Sequence, residues 1–331
     1  MAEVTYLEAG RLALAKAMRE NPAVWALGED LGRGGVFGQY KGLAEEFGPE
    51  RIVDTPISEA CIMGAAVGAA MMGTRPVVEM RFSDFALCAV DELVNQAAKA
   101  RFMFGGQARV PMVVRQPIGM WRSSAAQHSQ SLESWYTHIP GLVVITPATP
   151  ADNFSLLSAA IACDDPVVYM EHKNLWHLGG EMALTLDGDP TGEIGKARIV
   201  REGSDVTVVT WSAMVHETLK ATKQVMADGP AVAVEVIDLR TLWPWDRETV
   251  LASVKKTGRL LVVHEAVQVG GFGAEIAATI AEEAFADLKA PVKRLGAPRI
   301  LIGYAPSLEN EVKITAERDI GPAILKLARQ G

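Results

Sequence analysis

Cysteine is scarce in this chain of 331 residues, with Cys61, Cys88 and Cys163 as the three. No two of them have metal-ligand spacing, which excludes a zinc ribbon, and three thiols make no disulfide framework. They read as reduced thiols, two of them expected to be buried, in a reducing compartment. Long apolar runs are also missing. The stretch from Ala60 to Met72 is 13 residues of apolar and small side chains, too short to span a bilayer. Basic clusters are missing too. The formal net charge is -8 and the Lys and Arg residues are scattered, which argues against nucleic-acid binding, because phosphate contacts need clustered cations. The first residues, MAEVTYLEAGRLALAKAMRE, lack the basic start and continuous apolar core of a signal peptide. They read as an amphipathic helix with Leu7, Leu12, Leu14 and Met18 near one face. A cytoplasmic protein is expected.

Nucleotide and hydrolase motifs are absent as well. VGGFGAE (269–275) leads into a helix but lacks the Lys and Ser/Thr of a P-loop and the spacing of a dinucleotide fingerprint. Tight turning and close packing is the better reading of its glycines. LDGDPTG (186–192) is acidic, and no GxSxG occurs.

What is present is an alternation of β-branched runs and helical patterns. Strands are expected at 24–27, 76–80, 110–115, 142–146 and 167–171, and helices at 59–72, 84–104 and 151–162. Strands apolar on both faces argue for a parallel sheet covered by helices on both sides. Residues 174–195 are rich in Gly, Asp and Thr and read as a linker. A second α/β unit follows, with strands at 206–211, 231–237, 260–264 and from 291, and helices at 214–226, 247–254, 274–286 and 320–328. The fold class is therefore α/β in two domains, 1–180 and 195–331, each a mostly parallel sheet covered by helices. A chain of this length exceeds one ordinary core.

Two constellations stand out. The first is TPISEACIMGAAVGAAMMG, where Ser58 can cap a helix that begins at Glu59 and carries no further charge. A helix apolar all round is expected to be buried all round, and Gly64, Gly68 and Gly73 are explained by close approach of a neighbouring element. Glu59 is then either a first-turn acid complementing the helix dipole or paired to an Arg, or a buried acid whose raised pKa lets it exchange a proton with a ligand. The second is RQPIGMWRSSAAQHSQSLESWYTHIPG. Here Arg115 ends a strand and a long polar loop follows, where α/β sites sit. His128 lies in this loop among Gln127, Ser129 and Gln130. It is either a surface histidine or a proton carrier. His138 reads as structural, packed by Trp135, Tyr136 and Ile139. His264 ends a strand in the second domain and is a weaker candidate.

The stretches DTPISEACIMGAAVGAA, AAQHSQSLESWYTHIPGL and DLRTLWPWDRETVLASVKKTGRLLVVHEAVQVGGFGAEIA carry a resemblance. In the same order, they resemble the β subunit of the decarboxylating component of 2-oxo acid dehydrogenase complexes, shared by pyruvate, branched-chain 2-oxo acid and acetoin dehydrogenases. The resemblance runs from about Val4 to the C-terminus. It implies a transketolase-type pyrimidine-binding domain followed by a transketolase C-terminal domain. It implies that Glu59 hydrogen-bonds the aminopyrimidine of thiamine diphosphate and favours its imino tautomer, which deprotonates the thiazolium carbon. His128 would serve proton transfer in acyl transfer to a lipoyl group. Ile57 and Phe85 match positions lining the aminopyrimidine. Arg81 stands where related subunits often carry an uncharged residue, which bears on the polarity of the pocket and on the substrate. A potassium ion held by carbonyl oxygens would map to Met112, Ala160, Ile161, Cys163 and Asp165, the last two departing from the Asp and Asn of human-type chains.

The diphosphate and magnesium motif of the family, GDG followed by Asn, is absent. In the family it belongs to the α subunit, which would hold the magnesium. The resemblance thus implies an α2β2 heterotetramer and a lipoyl acyltransferase core as partners. An acetoin-cleaving relative is the second reading, towards which AxxARFMFGGQ (97–107) leans. A non-catalytic scaffold docking the acyltransferase core is the third, and the presence of both Glu59 and His128 argues against it. Trp121 and Arg122 are bulky enough to restrict the pocket.

Overall fold

The β-branched runs of the first half fold as parallel strands because apolar helices cover them. In the computed structural model, which describes residues 2–182, 190–228 and 232–330, the chain divides into two units. One comprises the residues up to Ile118 with Trp135–Ile194, the other Gly119–Ser134 with the residues from Gly195 onward. The polar loop carrying His128 thus groups with the second unit, away from the strand that leads into it. Among the described residues no helix is long and apolar enough to cross a membrane.

In the first unit the parallel strands are β1 (Val24–Gly28), β2 (Ile52–Asp54), β3 (Arg75–Glu79), β4 (Val113–Ile118), β5 (Val143–Ile145) and β6 (Val167–His172). They stand in the order β5-β6-β4-β3-β1-β2. Helix α1 (Tyr6–Glu20) starts at Thr5, whose hydroxyl accepts the Glu8 N–H. It packs on α3 (Pro150–Ala162), capped in the same way by Thr149 and Asp152. Ala9, Ala13, Leu14 and Met18 of α1 join Phe154, Leu157 and Ile161 of α3 in one core with the strand residues. The helix expected over 84–104 is helical but broken into a 3-10 turn (Phe85–Ala89), a π-helical turn (Glu92–Ala97) and an α turn (Ala98–Met103). The linker residues 174–195 are partly ordered structure. Gly179–Met182 pairs antiparallel with Ala2–Thr5, and 183–189 lie outside the described residues.

One strand departs from expectation in an instructive way. The run expected at 110–115 begins at Val113 and continues through Ile118, so Arg115 sits mid-strand and fully buried. Arg and Pro in a central strand argue against strand from sequence alone. The register explains both. Glu79 of β3 lies beside Arg115, and Arg115 lies beside Tyr169 of β6, two residues from Glu171. Arg115 donates Nε to Glu171 Oε2 at 2.8 Å and Nη2 to Oε1 at 3.0 Å, while its Nη1 is 3.8 Å from Glu79 Oε2. Tyr40 O–H donates to Glu79 at 2.9 Å and Asn153 Nδ2 to Glu171 at 3.1 Å. Pro117 lies beyond the last β3–β4 pair, Glu79 with Arg115, and its carbonyl accepts Ser83 N–H.

The second unit holds β7 (Arg198–Arg201), β8 (Val206–Thr210), β9 (Val234–Asp238), β10 (Leu260–Val267) and β11 (Lys293–Ala297) in the order β11-β10-β8-β9-β7. All pairs are parallel except β9 with β7. Helices Met214–Asp228, Arg247–Thr257, Gly273–Glu283 and Gly321–Ala328 pack on the sheet or on one another. The fold class read from the patterning, two mostly parallel sheets covered by helices, describes both units.

Burial pushes the Glu79 carboxyl up to about 7 against the opposing pull of Arg115. A raised acid binds its proton in the folded chain where the unfolded chain has lost it. Its contribution to stability therefore falls as pH rises from the usual carboxylate range through about 7. Replacing Arg115 with Met leaves two buried carboxylates without their cation, an expected loss of about 3–5 kcal/mol. Urea unfolding should show this loss growing with pH across the Glu79 titration. A loss that shrinks with pH would contradict the pairing.

Candidate active site

Helix α2 (Glu59–Met71) begins where the extended chain after β2 turns inward. The Ser58 carbonyl accepts Ile62 N–H at 2.9 Å, but the expected hydroxyl cap is absent. The helix is not buried all round. Ile62, Met63, Ala66, Val67 and Ala70 face inward, while Ala60, Cys61, Ala65, Gly68 and Met71 are exposed. The physical reason is that one chain offers cover on one side only. Gly68 has open space where a Cβ would stand, so among the described residues no element explains it by close approach. Cys61 and Cys88 are exposed and Cys163 half-buried, against the expectation of two buried thiols.

Glu59 is accordingly half-buried rather than sunk in the core. Ile57, two residues earlier, is 76% exposed, and Phe85 is half-buried on the turn that packs against α2. The charged group that sequence reasoning missed is Glu29. It follows β1 directly, at the carboxyl edge of the parallel sheet, and that position was the available signal. Burial lifts its carboxyl above the usual range; Arg81 opposes the lift, and the nearby charges of Glu59 and Asp30 add to it. Arg81 Nη2 donates to Asp30 Oδ2 at 2.5 Å and its Nη1 lies 3.6 Å from Glu29. The Arg81 cation is thus neutralised by its own chain. Glu59, Glu29, Asp30 and Arg81 form one charged cluster in the first unit.

His128 belongs to the second unit, half-buried, with its N–H on the Ala125 carbonyl at 3.4 Å. Its loop contains three non-glycine residues in left-handed conformation, Arg122, Ser123 and Ala125. The Arg122 guanidinium lies over the Trp121 ring, 4.9 Å from the centroid. His138 is exposed and Trp135 is 56% exposed, so the packed structural role expected for His138 is not what the structure shows.

His264 is fully buried on β10. Its ring stacks on Trp211 with centroids 5.3 Å apart, and Nδ1 is 3.0 Å from the Ala266 carbonyl. A Cβ on Gly271, Gly273 or Gly296 would lie within 3.0 Å of this ring. In VGGFGAE, Gly271 and Gly273 thus supply close packing, while Gly270, at φ 71° with open space around it, supplies the tight turn.

The match to known proteins divides the chain near residue 195 as the two units do, but leaves the loop 119–134 with the first half. Residues 2–177 match the family model "Transketolase, pyrimidine binding domain" and residues 195–318 match "Transketolase, C-terminal domain". The chain is 41% identical to 2-oxoisovalerate dehydrogenase subunit beta of Bacillus subtilis, over 96% of this chain and 97% of that protein. It is 42% identical to acetoin:2,6-dichlorophenolindophenol oxidoreductase subunit beta of Cupriavidus necator, over 96% of each. The pyruvate dehydrogenase E1 component subunit beta of Rickettsia conorii is 41% identical over 98% of each chain. The chain belongs to the E1 β-subunit family of 2-oxo acid dehydrogenase complexes. Its fold is that of a solved split gene transketolase, described as an inactive beta4 tetramer, at 24% identity, TM-score 0.80 and 99% coverage of both chains.

In this E1 β chain the five positions that would hold potassium do not form a free oxygen cage. Arg75 Nη1 donates to the carbonyls of Ile161, Ala162 and Cys163 at 3.0, 3.1 and 2.9 Å, and Nη2 to Asp164 at 2.6 Å. The carbonyl of Ala160 accepts Cys163 N–H and that of Met112 accepts Val167 N–H. Asp165 is drawn to Arg101 at 2.5 Å. A guanidinium already supplies positive charge to the C-terminus of α3, where the helix dipole calls for it. This set does not fit a potassium ion, and no role is derived for one.

Arg75→Met should therefore destabilise the chain by about 1–3 kcal/mol, the range for hydrogen bonds to a charged group. Urea unfolding measures it, and a neutral effect would show that the carbonyls have another partner. Burial of the His264 ring lowers its pKa to about 4 from the usual 6.5. A depressed value means the unfolded chain binds the proton first, so stability is lost as pH falls from about 6.5 to about 4, by roughly 3 kcal/mol. His264→Gln should remove that segment of the stability–pH curve. An unchanged slope would contradict it.

Proposed function

We propose that the chain is the β subunit of a thiamine-diphosphate-dependent 2-oxo acid dehydrogenase that transfers an acyl group to a lipoyl arm. The observation that carries this reading is the Glu59 cluster. A carboxylate heads a helix at the sheet's carboxyl edge, near a second carboxyl, Glu29, held towards its protonated form, with Ile57 exposed just before the helix and half-buried Phe85 on a turn packed against it. That donor set fits a flat ring with one basic nitrogen. Glu59 would hold a proton at a ring nitrogen of the aminopyrimidine, and Ile57 and Phe85 would flank the ring. Thiamine diphosphate would supply the carbanion that adds to the 2-oxo carbon and the sink for the electron pair released with carbon dioxide. In the lipoyl reaction that pair would reduce the disulfide, leaving the acyl group on one sulfur and a proton on the other. His128 would carry that proton.

The absence of GDG supports an α partner that holds the diphosphate and magnesium. The exposed small-residue face of α2 supports it too, because an uncovered apolar helix face in a single chain calls for another chain. An α2β2 heterotetramer in the cytoplasm, served by a lipoyl acyltransferase core, is the assembly this implies. Relatives named for 2-oxoisovalerate, acetoin and pyruvate match at 41–42% identity, so substrate choice rests on pocket residues such as Arg81 rather than on overall similarity.

Co-expression with the neighbouring α chain, followed by assays with pyruvate, branched-chain 2-oxo acids and acetoin, tests the proposal. Turnover of a 2-oxo acid with thiamine diphosphate and magnesium is expected, turnover of acetoin alone would favour the acetoin-cleaving relative, and no turnover of any would overturn both. Glu59→Gln should abolish activity while the tetramer stays intact by size-exclusion chromatography, with a loss of about 100-fold or more if it is the proton-transfer group.

A further inference from the structure

Glu265 lies one residue after the buried His264 on β10, and its carboxylate reaches the histidine loop twice. Its Oε1 accepts the Met120 N–H at 2.7 Å and the Ser131 hydroxyl at 3.4 Å. Met120 and Ser131 stand on either side of His128, so one oxygen ties together the two ends of the segment that carries it. Glu265 is 9% exposed and Met120 is 1% exposed, so water competes poorly for either bond. The same segment is fastened elsewhere by a second acid. Glu309, 2% exposed, accepts the Ser123 N–H at 2.7 Å and is held in turn by Lys313. At the far end Ser134 Oγ accepts Phe272 N–H at 2.9 Å, and Glu133 accepts Trp211 Nε1 at 3.1 Å.

The segment needs such fastening. Gly119, Arg122, Ser123 and Ala125 all have positive φ, at 93°, 48°, 56° and 63°. For the three non-glycine residues that conformation is disfavoured and persists where surrounding contacts over-determine it. Its internal bonds include Gly119 N–H to the Gln130 carbonyl at 3.4 Å, Ser124 N–H to the Trp121 carbonyl at 3.1 Å, His128 N–H to the Ala125 carbonyl at 3.4 Å, a Ser124–Ser129 hydroxyl contact at 3.5 Å and a short Ser124 hydroxyl contact to the Trp121 carbonyl. The partners from β10 and from the helix at Glu309 lie far away in sequence, so the loop's shape is imposed by the second unit.

We infer that Glu265 is a positioning residue that clamps both flanks of the His128 loop and so sets where His128 can deliver its proton during acyl transfer. This rests on the role proposed above for His128. A clamp of this kind acts on the acyl-transfer half of the reaction far more than on decarboxylation, which the Glu59 cluster governs. It also needs an acceptor oxygen rather than a charge, so an amide should replace the carboxylate and a methyl group should not.

The test compares Glu265→Ala, Glu265→Gln and the milder Ser131→Ala in the assembled α2β2 enzyme. Reductive acylation of a lipoyl domain is measured beside decarboxylation coupled to a dye acceptor. In Glu265→Ala the lipoyl reaction should fall about 10- to 100-fold, as misplacement of a catalytic group by a fraction of an ångström to an ångström does, with a far smaller fall in the dye-coupled rate. Glu265→Gln should recover most of the lipoyl reaction, and Ser131→Ala should give a smaller loss of the same kind. Trypsin cleavage after the exposed Arg122 gives a readout that needs neither cofactor nor substrate. It should quicken in Glu265→Ala and return to the wild-type rate in Glu265→Gln. The inference is overturned if both half-reactions fall together, if Glu265→Gln fails to rescue, or if cleavage at Arg122 is the same in all three proteins. Should the wild-type assembly turn over nothing, the proposed function fails, and the cleavage comparison still decides the clamp.

Discussion

The first unit is organised around a guanidinium that has no contact with water. Arg115 sits in a central strand, bonded through two nitrogens to Glu171 and placed beside Glu79 by the strand register. Burying a cation is tolerable when opposite charges and hydrogen bonds satisfy it, and here the neighbouring parallel strands deliver them at the spacing of the sheet. Tyr40, Gln39 and Asn153 complete the shell. Through them the network ties the residues after β1 to the strand that precedes the Arg81 turn, and α3 to β6. A one-residue slip of β4 would turn Arg115 to the other face and leave both acids alone. The register of the strands around it is therefore not free to drift.

That rigidity matters at the carboxyl edge of the same sheet. Glu29 follows β1, Arg81 follows β3, and Glu59 starts the helix that follows β2. Glu29 directly follows β1 and Arg81 lies just past β3, both close to the buried network, while Glu59 stands a few residues beyond β2. Charges held on such short tethers keep their mutual distances, so the lift that Glu59 and Asp30 give to Glu29, and the opposing pull of Arg81, persist as a property of the backbone.

The alternation of strands and helices was legible because parallel strands buried on both faces and helices apolar on one face have distinct periods. Glu59 and His128 stand out as candidates because each breaks its local pattern, a lone charge before an apolar helix and a lone histidine in a long polar loop. Arg115 was misplaced to a strand end because its charge can be buried only by partners 36 and 56 residues away, and no local pattern carries that. Glu29 was missed for a related reason: GED reads as an ordinary acidic turn until the sheet edge is known. The burial of α2 was overestimated because an apolar composition records every surface a helix will meet, including those of another chain, whereas a single chain covers one face. The set read as a potassium site was built on backbone oxygens, whose availability depends on which side chain arrives, and Arg75 arrives from a strand far away in sequence.

The two acids and the histidine also show how the labour is divided between the units. Glu59 needs a fixed apolar and charged surround, and receives it from strands. His128 lies on a loop with left-handed residues, and in the role proposed for it, as a proton carrier, a loop alone would not hold it to the tolerance that group transfer requires. The carboxylates of Glu265 and Glu309 close that gap by acting as acceptors for loop N–H groups, as a strand partner would. Carboxylates therefore serve this protein in three distinct ways: paired to a buried cation in the sheet, shared between neighbours at its edge, and aimed within the second unit at the N–H groups of a loop. In each case burial decides which, because removing water raises the cost of leaving an acid without a proton, a cation or a donor.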